Sequence, residues 1–131
     1  MSRSILLCDD EIHILRAAEF KLKRAGYEVR MAGNGEEGWQ AICDRKPDLL
    51  VTDCQMPRLD GLGLARRVRD HEETRGLPIL MLTGKGFELD PEELADTLNI
   101  LHVIAKPFSP RELLEMIEQT LSGSLPLAGS P

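Results

Sequence analysis

The sequence predicts an α/β sandwich of one domain, a parallel sheet with helices on both faces, and three observations carry that prediction. Apolar runs and helical stretches alternate five times along the chain. The central runs are apolar without interruption, which suits strands covered on both sides. Four of the runs stop at a polar or charged residue, and right-handed crossovers would bring those stops to a single sheet edge.

Ile5 to Cys8 is a short apolar run that halts at Asp9, Asp10 and Glu11, and it reads as the first strand. From Ile12 the apolar positions Ile12, Leu15, Ala18, Leu22 and Ala25 recur at helical spacing, and Gly26 stops the helix. Tyr27 to Met31 alternates apolar and charged residues, the pattern of an edge strand with one wet face. Asn34 with Glu37 three residues on forms a capping box. The helix it opens would bury Trp39, Ile42 and Cys43 and end at Lys46-Pro47.

Leu49-Leu50-Val51-Thr52 is the central strand and delivers Asp53, after which Pro57 and Gly61 force the backbone to turn. Leu62, Leu64, Ala65 and Val68 fit a third helix running to about Glu72, closed by Gly76 and Pro78. Ile79 to Thr83 is a further apolar run, followed by Gly84-Lys85-Gly86. Asp90-Pro91 opens a fourth helix with a cap and a first-turn proline. Leu101 to Ala105 is the last strand and delivers Lys106 ahead of Pro107-Phe108. Ser109, Pro110 and Glu112 then start a fifth helix with the stripe Leu113, Leu114, Ile117 and Leu121. Residues 122–131, rich in Gly, Ser, Pro and Ala, read as a tail or the start of a linker, leaving 1–121 as the domain.

Length and charge narrow the function. The chain has 131 residues, 42% of them hydrophobic, enough for one domain with its own core. Its 16 basic and 22 acidic residues give a net charge of −6, which argues against direct nucleic acid binding. Cys8, Cys43 and Cys54 form no C-x-x-C pair, which fits a reducing compartment. No apolar run approaches the roughly 18 residues of a membrane span, so the default location is cytoplasmic, away from membranes. Carboxylates follow the first strand where a dinucleotide site would need glycines. His13, His71 and His102 do not cluster in sequence.

A parallel sheet gathers Asp9, Asp10, Asp53, Thr83 and Lys106 at one edge. At about 4 Å and an effective dielectric near 20, each pair of carboxylates there would repel by on the order of 4 kcal/mol. A cation relieves that, and oxygen ligands without histidine or thiolate suit Mg²⁺. Lys106 adds a held positive charge and Thr83 a hydroxyl, a set able to stabilise a phosphoryl group on a carboxylate. Taken singly, each residue has a plainer role: Asp9 and Asp10 as helix caps, Asp53 as a turn residue, Thr83 as a strand end, Lys106 as the acids' ion-pair partner.

In combination, Asp9-Asp10, Asp53 with Met56-Pro57 and Asp60-Gly61, Thr83, and Lys106-Pro107-Phe108 resemble the receiver domain of two-component response regulators, over about Ser4 to Leu121. The resemblance implies a flavodoxin-like (βα)5 fold with strand order 2-1-3-4-5. It implies Asp53 as the acceptor of a phosphoryl group from a sensor histidine kinase or a phosphotransfer protein. Asp10, Asp53 and the backbone carbonyl of Gln55 would bind Mg²⁺ directly, and Asp9 would act through a water. Thr83 and Lys106 would each hold a phosphoryl oxygen.

On phosphorylation the loop from Gly84 to Asp90 would move, and the face of the fourth helix, fifth strand and fifth helix would repack for a downstream effector, a fused output domain or a dimer partner. Beyond its own phosphorylation and dephosphorylation, such a domain is a switch rather than an enzyme. Gln55 and Lys85 would flank the path of the hydrolytic water.

Two positions depart from the family pattern. Val103, beside His102, stands where many receivers have an aromatic residue, and Leu98-Asn99-Ile100-Leu101 replaces a small Gly-Ala turn. Phe87 or its loop would then carry the coupling. Two other readings compete. A Mg²⁺-dependent phosphohydrolase with an aspartyl phosphate would want an acid at position 55, where Gln55 stands, and a binding module that works without phosphorylation would not need the five-residue set.

Overall fold

Leu49 to Asp53 forms the middle strand of a five-stranded parallel sheet in the computed structural model, which describes residues 3–84 and 96–122. The strands are β1 (Ser4–Cys8), β2 (Glu28–Ala32), β3 (Leu49–Asp53), β4 (Ile79–Thr83) and β5 (Ile100–Ala105), and they lie in the order β2-β1-β3-β4-β5. The described residues include helices α1 (Ile12–Arg24), α2 (Gly35–Asp44), α3 (Gly61–Asp70) and a C-terminal helix, Pro110–Ser122, and residues 96–98 are helical as well. The strand order and the parallel pairing agree with the expected flavodoxin-like topology. The opening of the fourth helix at Asp90, the loop residues Lys85 and Phe87, and residues 123–131 lie outside the described residues.

The uninterrupted apolar runs have a direct cause. Successive side chains of a strand point to opposite faces. Ile5 and Leu7 enter one core with Leu15, Ala18 and Leu22 of α1 and Leu113 and Ile117 of the C-terminal helix. Leu6 and Cys8 enter the other, with Ile42 of α2 and Leu64, Ala65 and Val68 of α3. β2 is an edge strand, as its alternation predicts, and its residues are only partly buried up to Ala32.

The caps follow the sequence closely. Glu37 N–H donates to Asn34 Oδ1 at 2.9 Å and Gly33 N–H to Glu37 Oε1 at 3.0 Å. Ser109 and Glu112 form the fully reciprocal box, Ser109 N–H to Glu112 Oε1 at 2.8 Å and Glu112 N–H to Ser109 Oγ at 3.1 Å, whereas Glu37 reaches past Asn34 to Gly33. Gly26, at φ 102°, supplies the left-handed residue just past the end of α1.

Several expectations need correcting. Ile12 is 48% exposed and Ala25 is the exposed C-cap of α1; the buried stripe of the helix is the narrower set Leu15, Ala18 and Leu22. Neither Asp9 nor Asp10 caps α1; the N-cap is Glu11, with no side-chain cap bond. Cys43 is exposed, one residue and hence about 100° round the helix from buried Ile42. The inner face of α2 is instead made by Gly35, Gly38 and Ile42, with Trp39 half-buried. α3 stops at Asp70, and β5 begins one residue early, at Ile100.

In place of a small turn before β5, Arg69 gathers the chain. Its Nε donates to Leu98 O at 2.7 Å, its Nη1 to Arg75 O and Leu77 O at 2.7 Å each, and its Nη2 to Asn99 O at 3.2 Å. Asn99 takes φ 54°, a conformation asparagine tolerates better than most residues. The β4–β5 register then shifts, Ile79 facing Ile100 and Leu80 facing His102, so that Leu101 is the extra residue and is 44% exposed.

Candidate functional site

Strand register brings the polar strand ends together. Cys8 lies opposite Thr52, so the residues that follow them, Asp9 and Asp53, come side by side. Asp53 pairs with Leu82, which sets Thr83 one step further on, and Thr83 pairs with Ala105, the residue before Lys106. Backbone bonds continue past the strands: Asp9 N–H to Ala32 O at 3.1 Å, Cys54 N–H to Leu82 O at 2.9 Å, and Lys106 N–H to Thr83 O at 2.8 Å. The edge is therefore held by the sheet's own ladder rather than by loose loops.

Lys106 reaches back across this edge. Its Nζ lies 2.7 Å from Asp9 Oδ2, 2.9 Å from Glu11 Oε1 and 3.4 Å from Asp53 Oδ1. Asp9 is fully buried, Asp53 is 5% exposed and the Lys106 side chain 11%. Glu11 N–H donates to Asp9 Oδ1 at 3.0 Å and fixes that carboxylate from the other side.

Burial, then the charge of Asp9, pushes the Asp53 carboxyl up to about 6 against the pull of Lys106. Asp9 is raised too, by burial above all. Glu11, hydrogen-bonded to Lys106, is lowered. Burial works against the Lys106 ammonium, but its bonds to Asp9 and Glu11 outweigh that and its pKa is raised.

The loop after Asp53 is closed by contact. Gly61 N–H donates to Cys54 O at 3.1 Å, and a Cβ on Gly61 would sit 2.1 Å from Asp53 O. Asp60 accepts from Gly63 N–H at 2.7 Å and caps α3. Asp60-Gly61 therefore starts a helix and clamps the backbone beside Asp53 in one step.

Asp9, Asp10 and Asp53 each offer a carboxylate oxygen, and these oxygens lie within 4.8 Å of one another. This is an all-oxygen, multiply charged donor set in which the Asp53 anion is held at a cost, and it fits a hard divalent cation such as Mg²⁺.

Of the residues singled out from the sequence, Asp9, Asp10, Asp53 and Lys106 meet at the site. Thr83 ends β4 beside them, its hydroxyl 3.4 Å from Gly84 O. Gln55 is exposed in the loop after β3, and Lys85 lies outside the described residues. Cys54 is buried, as a small core residue would be. His71 packs its ring 4.7 Å from Trp39, away from the acidic edge. Sequence reasoning missed Glu11 as a partner of Lys106; its place directly after two site acids and before a helix was the only signal.

The family model for the response regulator receiver domain matches residues 5–118. The chain belongs to the response regulator receiver domain family. Curated relatives agree: the transcriptional regulatory protein GltR of Pseudomonas aeruginosa is 40% identical over 91% of this chain and 49% of its own length. The phosphate regulon transcriptional regulatory protein PhoB of the same species is 40% identical over 92% of this chain and 52% of its own. The chain thus spans about half the length of the curated relatives it matches.

Among solved structures, a response regulator of Chloroflexus aurantiacus superposes with a TM-score of 0.83 at 38% identity, covering 93% of this chain and 99% of that one. A chemotaxis response regulator of Vibrio cholerae gives 0.81 at 29%, covering 91% and 98%. Receiver domains of two-component systems switch by phosphorylation and generally use Mg²⁺ at an acidic pocket. The relatives are transcriptional regulators rather than conventional enzymes. Among the described residues of this receiver domain, no helix is long and apolar enough to cross a membrane.

Proposed function

We propose that the chain is a phosphorylation switch in which Asp53 accepts a phosphoryl group from a sensor histidine kinase or a phosphotransfer protein. The observation that supports this best is the buried Asp53 carboxylate, sharing one small volume with oxygens of Asp9 and Asp10 and lying 3.4 Å from the Lys106 ammonium. An Asp53 oxygen attacks phosphorus in line as the donor's P–N bond breaks, and the electron pair leaves with the imidazole. In hydrolysis water attacks the same phosphorus and the Asp53 carboxylate departs.

Asp10, Asp53 and the Gln55 carbonyl would hold Mg²⁺, with Asp9 acting through a water. Bound there, Mg²⁺ would supply positive charge that offsets the repulsion between the Asp53 carboxylate and an incoming phosphoryl group. Lys106 pairs with one phosphoryl oxygen and Thr83 hydrogen-bonds another, while Gln55 lies beside the water's approach. The new group brings roughly −1.5 to −2 charge, which draws Lys106 and Thr83 inward. β5 and the C-terminal helix carry that change outward. The reader of that face is a downstream effector, an output domain joined through residues 122–131, or a second copy of the chain. Residues 1–121 form the receiver, working in the cytoplasm.

Intact-mass measurement with Mg²⁺ and a small acyl phosphate tests this reading. A single phosphoryl adduct is expected on the wild type and none on Asp53→Asn. Rapid release of phosphate from many esters would favour the phosphohydrolase instead, and absence of any adduct would favour a binding module that needs no phosphorylation.

A further inference from the structure

The Lys106 ammonium has three N–H donors and three carboxylate neighbours, and it is closer to Asp9 and Glu11, at 2.7 and 2.9 Å, than to Asp53, at 3.4 Å. To close on a phosphoryl oxygen carried by Asp53, the ammonium has to shift from the two nearer carboxylates toward the farther one, lengthening its contact to Asp9, to Glu11 or to both. Asp9 is the costlier contact to loosen, because it is a fully buried carboxylate that loses its cationic partner and it is pinned from behind by Glu11 N–H. Glu11 is different: its side chain is 48% exposed, so its carboxylate can pass into water when released.

Glu11 is also spared from other work. As the N-cap of α1 it makes no side-chain cap bond, and the helix takes only its carbonyl, which accepts from Ile14 and Leu15 N–H at 3.1 and 3.3 Å. Its carboxylate instead spans 95 residues of sequence to Lys106.

We infer that Glu11 is a positioning residue, a releasable latch that biases Lys106 toward Asp9 and itself and keeps it from closing on Asp53 until a phosphoryl group arrives, and so restrains loading. The inference rests on the phosphoacceptor reading of Asp53 and adds a regulatory residue to it.

Two substitutions separate a latch from a mere nearby charge. Glu11→Gln removes the charge. Glu11→Asp keeps it on a side chain one methylene shorter, which is drawn to the exposed N–H groups of the helix start as an N-cap aspartate. The latch predicts that both variants load phosphoryl groups from a small acyl phosphate about two- to fivefold faster than wild type, the range expected for releasing one half-exposed ion pair. A second readout needs neither metal nor turnover. In metal-free protein, the Lys106 side-chain ¹⁵Nζ resonance should shift, and its protons exchange faster with water, in both variants.

Acceleration in Glu11→Gln with wild-type behaviour in Glu11→Asp would show a simple charge effect and overturn the latch. Unchanged loading, or an unmoved Lys106 resonance, in both variants would overturn it as well. In each of those cases wild-type loading would leave the role of Asp53 standing, whereas a wild type that takes up no phosphoryl group would bring down both.

Discussion

Lys106 Nζ sits 2.7 Å from Asp9 Oδ2 and so serves first as the counter-charge of a fully buried carboxylate. Replacing it by a methionine of similar length leaves Asp9 without that charge, and breaking a buried pair costs about 3–5 kcal/mol. Lys106→Met is therefore expected to lower unfolding free energy by about that much in chelator. Mg²⁺ should recover part of the loss, because it supplies positive charge at the same oxygens. Urea titrations with and without Mg²⁺ check both statements.

Asp53 carries the opposite sign. Its folded-state pKa is raised from the ordinary 3.8 to about 6, so the folded chain binds that proton more tightly than the unfolded one does. Its contribution to stability is then present below about pH 4 and is lost as pH rises through about 6, a swing of about 3 kcal/mol for two pKa units. Metal-free Asp53→Asn should match wild type near pH 4 and be the more stable of the two at pH 7. Mg²⁺ should raise the melting temperature of wild type more than that of the variant. Melting curves across pH, with chelator and with Mg²⁺, read this directly.

Gly61 has no room for a side chain, since a Cβ would meet Asp53 O at 2.1 Å and Cys54 Cα at 2.8 Å. Gly61→Ala must push α3 and the loop away from the end of β3. The expected result is a loss of about 1–3 kcal/mol, the usual scale of overpacking, together with slower phosphoryl loading because Asp53 is displaced. Gly76→Ala, where a Cβ would meet nothing within 4 Å, serves as the control and should leave loading unchanged.

Arg69 satisfies four carbonyls with one planar fork, joining α3 to the chain ahead of β4 and β5. Lysine keeps the charge but cannot reproduce that geometry. Arg69→Lys should cost about 1–2 kcal/mol, the scale for leaving the part-buried carbonyls of Leu77 and Leu98 unmet while water takes over the exposed ones. Amide exchange should quicken at Ile100 and His102 while β1 and β3 stay protected. Hydrogen-exchange mass spectrometry resolves those segments.

The strands, their order of appearance, the Asn34 cap and the Ser109-x-x-Glu112 capping box were legible in the chain, because apolar runs and cap residues report local preferences that the tertiary fold does not override. The acids and the lysine at the strand ends were legible for a related reason: in a parallel sheet, topology alone sends Asp9, Asp53 and Lys106 to one edge. What the sequence could not announce was distance. Glu11 looked like the end of an acidic run until register brought Lys106 within 2.9 Å of it, across 95 residues. Gly38 on the inner face of α2 and the fork of Arg69 were hidden in the same way, since a glycine shows its packing role only against the Cys8 side chain it meets, and an arginine only against the carbonyls it collects. Local periodicity is a property of neighbouring residues and can be read in order; the pairing of charges and the fit of surfaces depend on which distant segments the sheet sets side by side.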